Sequence, residues 1–66
     1  MEKLTVEIWK GEQFYIAQCL AYSNCFTQGK TIEDVIHNIK EVIELVLEVN
    51  NPKLEVKIKE ELVSVI

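Results

Sequence analysis

Apolar and polar residues alternate along the first part of the chain, which predicts a strand over residues 4–10. Leu4, Val6 and Ile8 form one side of this strand, and Thr5, Glu7 and Trp9 form the other. After Gly11 and a polar connection, residues 14–19 are rich in aromatic and β-compatible side chains, so the two segments predict an antiparallel hairpin. Residues 25–28 predict a third strand, which Gly29 ends. The three strands would form a meander.

The pattern changes at Thr31, where apolar residues begin to recur at three- and four-residue steps. The Thr31 hydroxyl can cap the first helical turn, and Asp34 can answer it in a variant of the capping box. The apolar positions fill one arc of a helix: Ile32, Val35, Ile36, Ile39, Val42, Ile43, Val46, Leu47 and Val49. Many are β-branched, so the helix must gain stability by packing on the meander. The Asn-Asn-Pro run at 50–52 predicts its end.

A second alternating stretch follows the helix. Leu54, Val56 and Ile58 alternate with Glu55, Lys57 and Lys59, which predicts another strand. The apolar tail at 62–66 is either a separate strand or the continuation of one long bent strand. This order predicts a single α+β domain over 1–66, in which an antiparallel sheet of three to five strands carries one long helix on one face.

Composition suggests that the domain associates with itself. The chain has 66 residues, of which 48% are hydrophobic. A domain of this size buries only about 60% of the surface that its unfolded chain exposes, and small domains often complete their core with a disulfide, a metal or a partner subunit. We expect a homo-oligomer.

Net charge narrows the class of partner. At −4, the chain should repel phosphate backbones, so we expect no direct nucleic-acid binding. A basic protein that handles nucleic acid is a complementary partner, although mild acidity also serves solubility alone. No apolar run reaches the roughly 18 residues of a membrane span, and the N-terminus lacks the features of a signal peptide. We expect a cytoplasmic protein without membrane contact.

Cysteine and histidine offer no metal site. Cys19, Cys25 and His37 are the whole set, and they have neither the number nor the spacing of zinc ligands. In a reducing compartment both thiols should be buried and reduced. We therefore expect no metal, no cofactor and no disulfide.

Catalysis has little support in the sequence. His37 shares a helix face with Glu33 and Glu41, which predicts a solvated ion-pairing residue rather than the partner of a sheet thiol. Glu7 is the one mid-strand carboxylate that a metal-dependent nuclease could use, so a degenerate nuclease is a third functional hypothesis. We expect that the protein is not an enzyme.

Two surfaces are candidates for binding partners. One helix leaves the other sheet face open, where Trp9 points and where Phe14 or Tyr15 joins it according to register. Trp9 and Tyr15 are thus candidates for self-association, unless Trp9 folds over the sheet edge. On the helix, the candidates for binding a basic protein are Glu33, Glu41, Glu44 and Glu48. A solvated helix face explains the same four glutamates.

Residues 14–17 and 24–35 together carry a pattern that resembles the HicB family of antitoxins. That family has an aromatic-x-Ala strand and then a Pro-Gly-Cys-x-Thr-x-Gly-x-Thr-x-Glu-Glu-Ala stretch that enters a long helix. The matching positions are Cys25, Thr27, Gly29, Thr31, Glu33, Asn38, Glu41 and Ile43. The resemblance covers nearly the whole chain. Departures are Ser23 and Asn24 in place of Pro-Gly, and Val35, Ile39 and Val42 in place of alanines, which suggest a thicker helix–sheet contact.

The resemblance implies a truncated ribonuclease-H-like fold without catalytic function, which oligomerises and inhibits HicA, a small basic toxin that cleaves messenger RNA. Such an antitoxin would occupy the toxin's RNA-binding surface and active site. Many relatives continue into a DNA-binding domain, whereas this sequence ends at Ile66, so operator binding is not expected. The alternative is an oligomeric small-ligand-binding or interaction domain that keeps the fold without a toxin.

Overall fold

The computed structural model describes residues 3–59. Its elements are β1 (Leu4–Lys10), β2 (Tyr15–Cys19), β3 (Phe26–Gly29), α1 (Ile32–Leu47) and β4 (Leu54–Lys59). The α+β class and the β-β-β-α-β order expected from the sequence are confirmed. The apolar tail at 62–66, predicted either as a separate strand or as the continuation of one long bent strand, lies outside the described residues.

The four strands form one sheet in the order β3-β2-β1-β4. β2 pairs antiparallel with both β1 and β3, so the meander is confirmed. β4 pairs in parallel with β1, so the sheet is mixed rather than antiparallel throughout. The cause is α1: a helix that crosses over the sheet returns the chain to the end where β3 began, and β4 therefore runs in the direction of β3 and β1.

One layer of apolar side chains joins the helix to the sheet. Its fully buried members are Val6, Ile8, Ala17, Cys19, Cys25, Val35, Ile39 and Ile43. The sheet members lie opposite one another in register, Val6 with Cys19 and Ile8 with Ala17, and the helix members recur every fourth residue. Each aliphatic side chain removed from water in this way contributes about 1.5–3 kcal/mol. Among the described residues, no helix has the length and apolar character needed to cross a bilayer.

The helix begins as the sequence predicts and ends earlier. Thr31 Oγ1 accepts a hydrogen bond from the backbone nitrogen of Asp34 at 3.0 Å, as an N-cap does. The predicted end is wrong, because α1 stops at Leu47 and leaves Val49 outside the helix. Glu48 adopts the left-handed conformation, with φ 54° and ψ 44°, and breaks the helix before Pro52 is reached.

Candidate protein-interaction surfaces

The outer face of α1 carries a row of ionisable side chains. They follow one another at steps of three or four residues, so the first four lie on adjacent turns of one side of the helix, and Glu48 is the residue that ends it. The row consists of Glu33, His37, Glu41, Glu44 and Glu48, and these five residues are termed the acidic ridge. All are exposed except Glu44, which is partly buried. The four glutamates singled out in the sequence are therefore brought together on one surface.

Within the acidic ridge, His37 pairs with Glu41. The histidine Nε2 lies 3.0 Å from the glutamate Oε1, one helical turn away, and the predicted ion-pairing position is confirmed. Both side chains are largely exposed, so the contact adds little to stability. It orients Glu41 without taking its carboxylate away from solvent.

Glu44 has a second role inside the chain. Its Oε2 accepts a hydrogen bond from the backbone nitrogen of Asn51 at 3.0 Å. Asn51 is the second left-handed residue after α1, with φ 49°, and asparagine tolerates that conformation better than most residues. The bond ties the turn after the helix back to the helix itself. Glu33, Glu41 and Glu48 are thus the carboxylates of the acidic ridge that remain most open to a partner.

Charge is divided unevenly between helix and sheet. From Ile32 to Glu48 the chain has five carboxylates and one lysine, Lys40. The rest of the described part, 3–31 and 49–59, has six lysines and three glutamates. The negative charge of the described residues is therefore concentrated on α1, and a basic partner would be drawn to the helix rather than to the sheet.

The sheet face opposite α1 has an apolar area. Strand register places Ile16 opposite Trp9 and Gln28 opposite Ile16. Phe26, two residues before Gln28, points to the same side, because side chains two apart in a strand share a face. Phe26 is 63% exposed, and it lines a shallow groove with Ile16, Thr27 and Gln28.

Tyr15 does not belong to this area. It lies opposite Lys10 and Gly29 and packs against the buried core on the helix side. The expectation that register could place it beside Trp9 is wrong, and Ile16 lies there instead. The two self-association candidates are therefore on opposite faces of the sheet. Phe26 lies between the inward-facing Cys25 and Thr27, and the strand register is what turns it toward the open face.

The positions that carry the HicB resemblance meet where β3 leads into α1. Cys25, Thr27 and Gly29 are spaced two residues apart, so they share one face of the sheet. The register with β2 shows that this is the helix side. Thr31 then caps the helix, and Gly29 lies directly against the backbone at Val35. The motif thus describes the inner side of β3 together with the start of the helix that packs on it.

Asn38, another matching position, fastens the helix to the free edge of β3. Its Nδ2 donates a hydrogen bond to the backbone oxygen of Gln28 at 2.9 Å. Cys19 N donates to Cys25 O across the β2–β3 pair, so the backbone groups of Cys25 face β2. Backbone groups of successive residues point to opposite sides of a strand, and the Gln28 oxygen therefore points away from β2. Asn38 therefore satisfies a carbonyl group that no strand reaches in the described part of the chain.

The two thiols lie opposite each other inside the core. Extending the β2–β3 register pairs Cys19 with Cys25, whose backbone atoms are joined by a 2.9 Å hydrogen bond. Both cysteines are free and buried, as the sequence predicts. Burial, and to a lesser degree the neighbouring Cys19, raises the pKa of the Cys25 thiol above its ordinary value. A raised pKa reduces the thiolate fraction, and reactivity falls with it.

Glu7 lies on the open face as one half of an ion pair. Its Oε1 is 3.2 Å from Lys59 Nζ. Within residues 3–59, no three side chains of His, Cys, Asp or Glu converge as they would around a metal ion. The carboxylate that a nuclease hypothesis would use is thus paired with a lysine in this structure.

Curated proteins that resemble the chain include two from distant organisms. A UPF0150 protein of Thermoplasma acidophilum is 45% identical over 47 residues, which cover 70% of this chain and 68% of the relative. A UPF0150 protein of Synechocystis is 47% identical over 34 residues, which cover 52% of this chain and 49% of that relative. No family model and no solved structure matches. On the identity and coverage shared with the first relative, the chain belongs to the UPF0150 family.

Proposed function

We propose that this protein is a HicB-like antitoxin, which binds a small basic ribonuclease of the HicA type and blocks its cleavage of messenger RNA. The observation that carries the proposal is the acidic ridge, a row of carboxylates on the side of α1 turned away from the sheet. The motif at the β3–α1 junction and membership of the UPF0150 family support the same assignment.

The acidic ridge is held in place before any partner arrives. Val35, Ile39 and Ile43 are completely buried on the opposite side of α1, and Thr31 and Asn38 fix the helix by hydrogen bonds. A surface that is already ordered loses little conformational entropy on binding. The rigid helix therefore suits a role in which a row of charges must meet a complementary row.

The chemistry of the partner follows from the charge of the ridge. An enzyme that cleaves messenger RNA must hold a phosphate backbone with cationic side chains. Glu33, Glu41 and Glu48 present carboxylates of the same sign as those phosphates, at intervals of about 10–12 Å along the helix. Such a row competes with RNA for one cationic surface, and it also speeds the encounter between the two proteins. Inhibition would then arise from occupation of that surface.

Charge reversal on the ridge tests this proposal. The protein is co-expressed with a small basic HicA-like protein encoded beside it, and the complex is isolated and titrated. We expect a stable complex whose affinity falls at least about tenfold in the E33K/E41K variant, because both substitutions replace attraction by repulsion. Both side chains are exposed, so the free energy of unfolding should fall by only about 1 kcal/mol, mainly because Glu33 stands in the first turn of α1, where the helix dipole favours a negative charge.

The control is Glu12→Lys, at an exposed residue in the turn between β1 and β2, which is compared with Glu41→Lys alone because each single substitution makes the same charge change. We expect its affinity to stay within about threefold of the original. Equal losses for Glu41→Lys and Glu12→Lys, which change the net charge by the same amount, would mean that only net charge matters. If no complex forms and no basic partner co-purifies, the antitoxin assignment fails.

The groove beside Phe26 favours a second candidate function, the binding of a small apolar ligand. It is lined by Ile16, Phe26, Thr27 and Gln28 and is open to solvent on the sheet face. A thermal-shift screen of apolar metabolites on the original protein and on Phe26→Ser separates the two hypotheses. Ligand-dependent stabilisation that Phe26→Ser abolishes would support this alternative, and no stabilisation by any metabolite would remove it.

A further inference from the structure

Cys19 and Cys25 are the two cysteines of the chain, and neither has a role in the proposed function. Both thiols are free and enclosed by the core, with exposed fractions of 1% and 0%. A buried free cysteine by itself packs as a small apolar residue. These two differ from that case because they are neighbours across one pair of strands, and the geometry of that pair determines the chemistry open to them.

The two cysteines face each other at the end of the β2–β3 pair. Gln18 is paired with Phe26, so the next pair along the antiparallel strands is Cys19 with Cys25, and Cys19 N donates to Cys25 O at 2.9 Å. Both side chains point into the core. Facing Cα atoms in a hydrogen-bonded pair lie about 5.5 Å apart, which falls inside the range of about 4.4–6.8 Å that a disulfide spans. The backbone thus holds the two thiols at a spacing that a disulfide can bridge.

The end of this strand pair can make the small adjustment that a disulfide requires. Facing Cβ atoms are about 4.5–5.5 Å apart, whereas a disulfide joins Cβ atoms about 3.5–4.5 Å apart. Cys25 lies just before β3 begins, and its own N–H donates to Tyr22 O in the turn at 2.9 Å rather than to β2. A shift of about 1 Å at Cys25 therefore disturbs only the end of the ladder.

The turn between the cysteines gives small molecules a route to the thiols. All five residues at 20–24 are exposed, and β3 is a four-residue strand at the outside of the described sheet. Exposed turns and short outer strands open locally at a lower free energy than the core does. Such an opening uncovers both thiols together, because they flank the same turn. Burial makes the reaction slow, but it does not prevent equilibrium from being reached.

We propose that Cys19 and Cys25 form a modification site, at which a low-molecular-weight disulfide such as oxidised glutathione converts them to a cross-strand disulfide. One cysteine thiolate attacks the small disulfide, forms a mixed disulfide and releases one thiolate. The other cysteine thiolate attacks the cysteine sulfur of the mixed disulfide, closes the Cys19–Cys25 bond and releases the second thiolate. Two protein thiols lose two electrons, the small disulfide gains them, and both protons pass to the released thiolates.

The new bond would act on the strand that carries the helix. It ties the start of β3 to β2, and α1 rests on β3 through the close approach of Val35 to Gly29 and the hydrogen bond from Asn38 to Gln28. The thiols that are free in this structure are the reduced state of the pair. By linkage, the factor by which folding favours the disulfide is also the factor by which the disulfide favours folding.

Equilibration with glutathione tests the proposal on the original chain. The protein is brought to equilibrium with mixtures of reduced and oxidised glutathione, from the reduced and from the oxidised side, in native buffer and in concentrated urea. Mass spectrometry of acid-quenched samples then measures the internal disulfide. We expect its formation constant to be at least about tenfold larger for the folded chain than for the unfolded chain, because the folded backbone holds the thiols face to face. The oxidised protein should accordingly unfold at a higher urea concentration than the reduced protein.

The C25A/F26C variant is the matched control. It moves one thiol by a single residue to the opposite side of β3, where the Phe26 side chain is 63% exposed. In urea its constant should match the original within about threefold, because the loop grows by only one residue. In native buffer its constant should be at least about tenfold below the original, because the two thiols then lie on opposite faces of the sheet. Circular dichroism checks that the variant is folded.

The outcomes that would overturn the proposal are equally specific. They are a constant for the folded chain no larger than that in urea, an oxidised protein that unfolds at a lower urea concentration than the reduced one, and glutathione adducts in place of the internal bond. A folded C25A/F26C variant that forms its disulfide as readily as the original chain would overturn it as well. The toxin takes no part in these measurements, so their outcome does not depend on the proposed function.

Discussion

Gly29 and Val35 are in contact where the third strand meets the helix: a Cβ built on Gly29 would lie 2.6 Å from the Val35 nitrogen and 2.9 Å from its Cα. Both of the nearest atoms belong to the backbone of α1, so they cannot move aside as a flexible side chain would. The absence of a side chain at Gly29 therefore sets how closely the helix packs on β3. Through that packing it also positions the acidic ridge.

Gly29→Ala should destabilise the fold strongly. The added methyl group must push α1 away from β3, and overpacking of this kind costs about 1–3 kcal/mol. Urea unfolding followed by circular dichroism measures the loss. Gly11→Ala is the comparison: its Cβ would meet Phe14 O at 3.0 Å and the movable Ile16 Cδ1 at 3.1 Å, so a smaller loss is expected. Equal losses would show that the helix contact at Gly29 is not special.

Asn38→Asp should weaken the attachment of the helix to the edge of β3. The substitution removes the Nδ2 donor and sets a carboxylate near the Gln28 oxygen, which should lower the free energy of unfolding by about 1–3 kcal/mol. Asn38→Ala loses the bond without the repulsion and should cost about 1 kcal/mol. Asn50→Ala, at an exposed amide after the helix, is the control. If chemical unfolding showed the same free energy of unfolding for Asn38→Asp as for Asn50→Ala, this role of Asn38 would be contradicted.

Glu44 should differ from the other carboxylates of the acidic ridge. Glu44→Ala removes the acceptor for Asn51 N, and we expect a loss of about 1 kcal/mol in thermal or urea unfolding. Glu44→Gln keeps an oxygen at that place and should lose less. Glu41→Ala, one turn earlier in the same ridge, removes only an exposed ion pair and should be close to neutral. The turn would be independent of Glu44 if both alanine variants were equally stable.

The Cys25 thiol should make stability fall at alkaline pH. Its pKa is raised in the folded state above the ordinary 9.0. Below that pH the thiol is protonated in both states and the full stability is present. As the pH rises from 9.0 toward the folded-state pKa, the unfolded chain loses the proton first, so the free energy of unfolding decreases. Urea unfolding at several alkaline pH values should show a shallower decrease for Cys25→Ala than for the original protein. Identical slopes would contradict the shift.

The elements of this fold could be predicted from the sequence because each has a simple period. Alternation at 4–10 and 54–59 and the three- and four-residue steps after Thr31 follow directly from burial of one side. The alternation does not determine the direction of β4, because a parallel and an antiparallel strand would bury the same side chains. It depends on the helix crossover, which is a property of the whole chain.

Two errors have local causes. Asparagine and proline predict the helix end at 50–52 because both are strong signals, whereas the helix ends at Glu48 in a left-handed conformation that glutamate rarely adopts. Tyr15 was a candidate for the open face because the register of a hairpin depends on its turn, and here Gly11 N bonds Phe14 O and sends Tyr15 inward.

The candidate site was predictable in part. Helical spacing alone places the four glutamates of the acidic ridge on one side. The tether from Glu44 to Asn51 and the exposure of Phe26 were not predictable, since each depends on contacts or register between separate segments.

The central claim, that this protein inhibits a basic ribonuclease, is tested most directly by RNA cleavage. A fixed amount of the HicA-like enzyme encoded beside this chain is incubated with a labelled messenger RNA while this protein is titrated in. Cleavage should fall in proportion to the protein added and stop near stoichiometric amounts, and with the enzyme diluted below the dissociation constant E33K/E41K should require at least about tenfold more protein for half inhibition. Cleavage that continues unchanged in the presence of about a tenfold molar excess of the original protein would contradict the account.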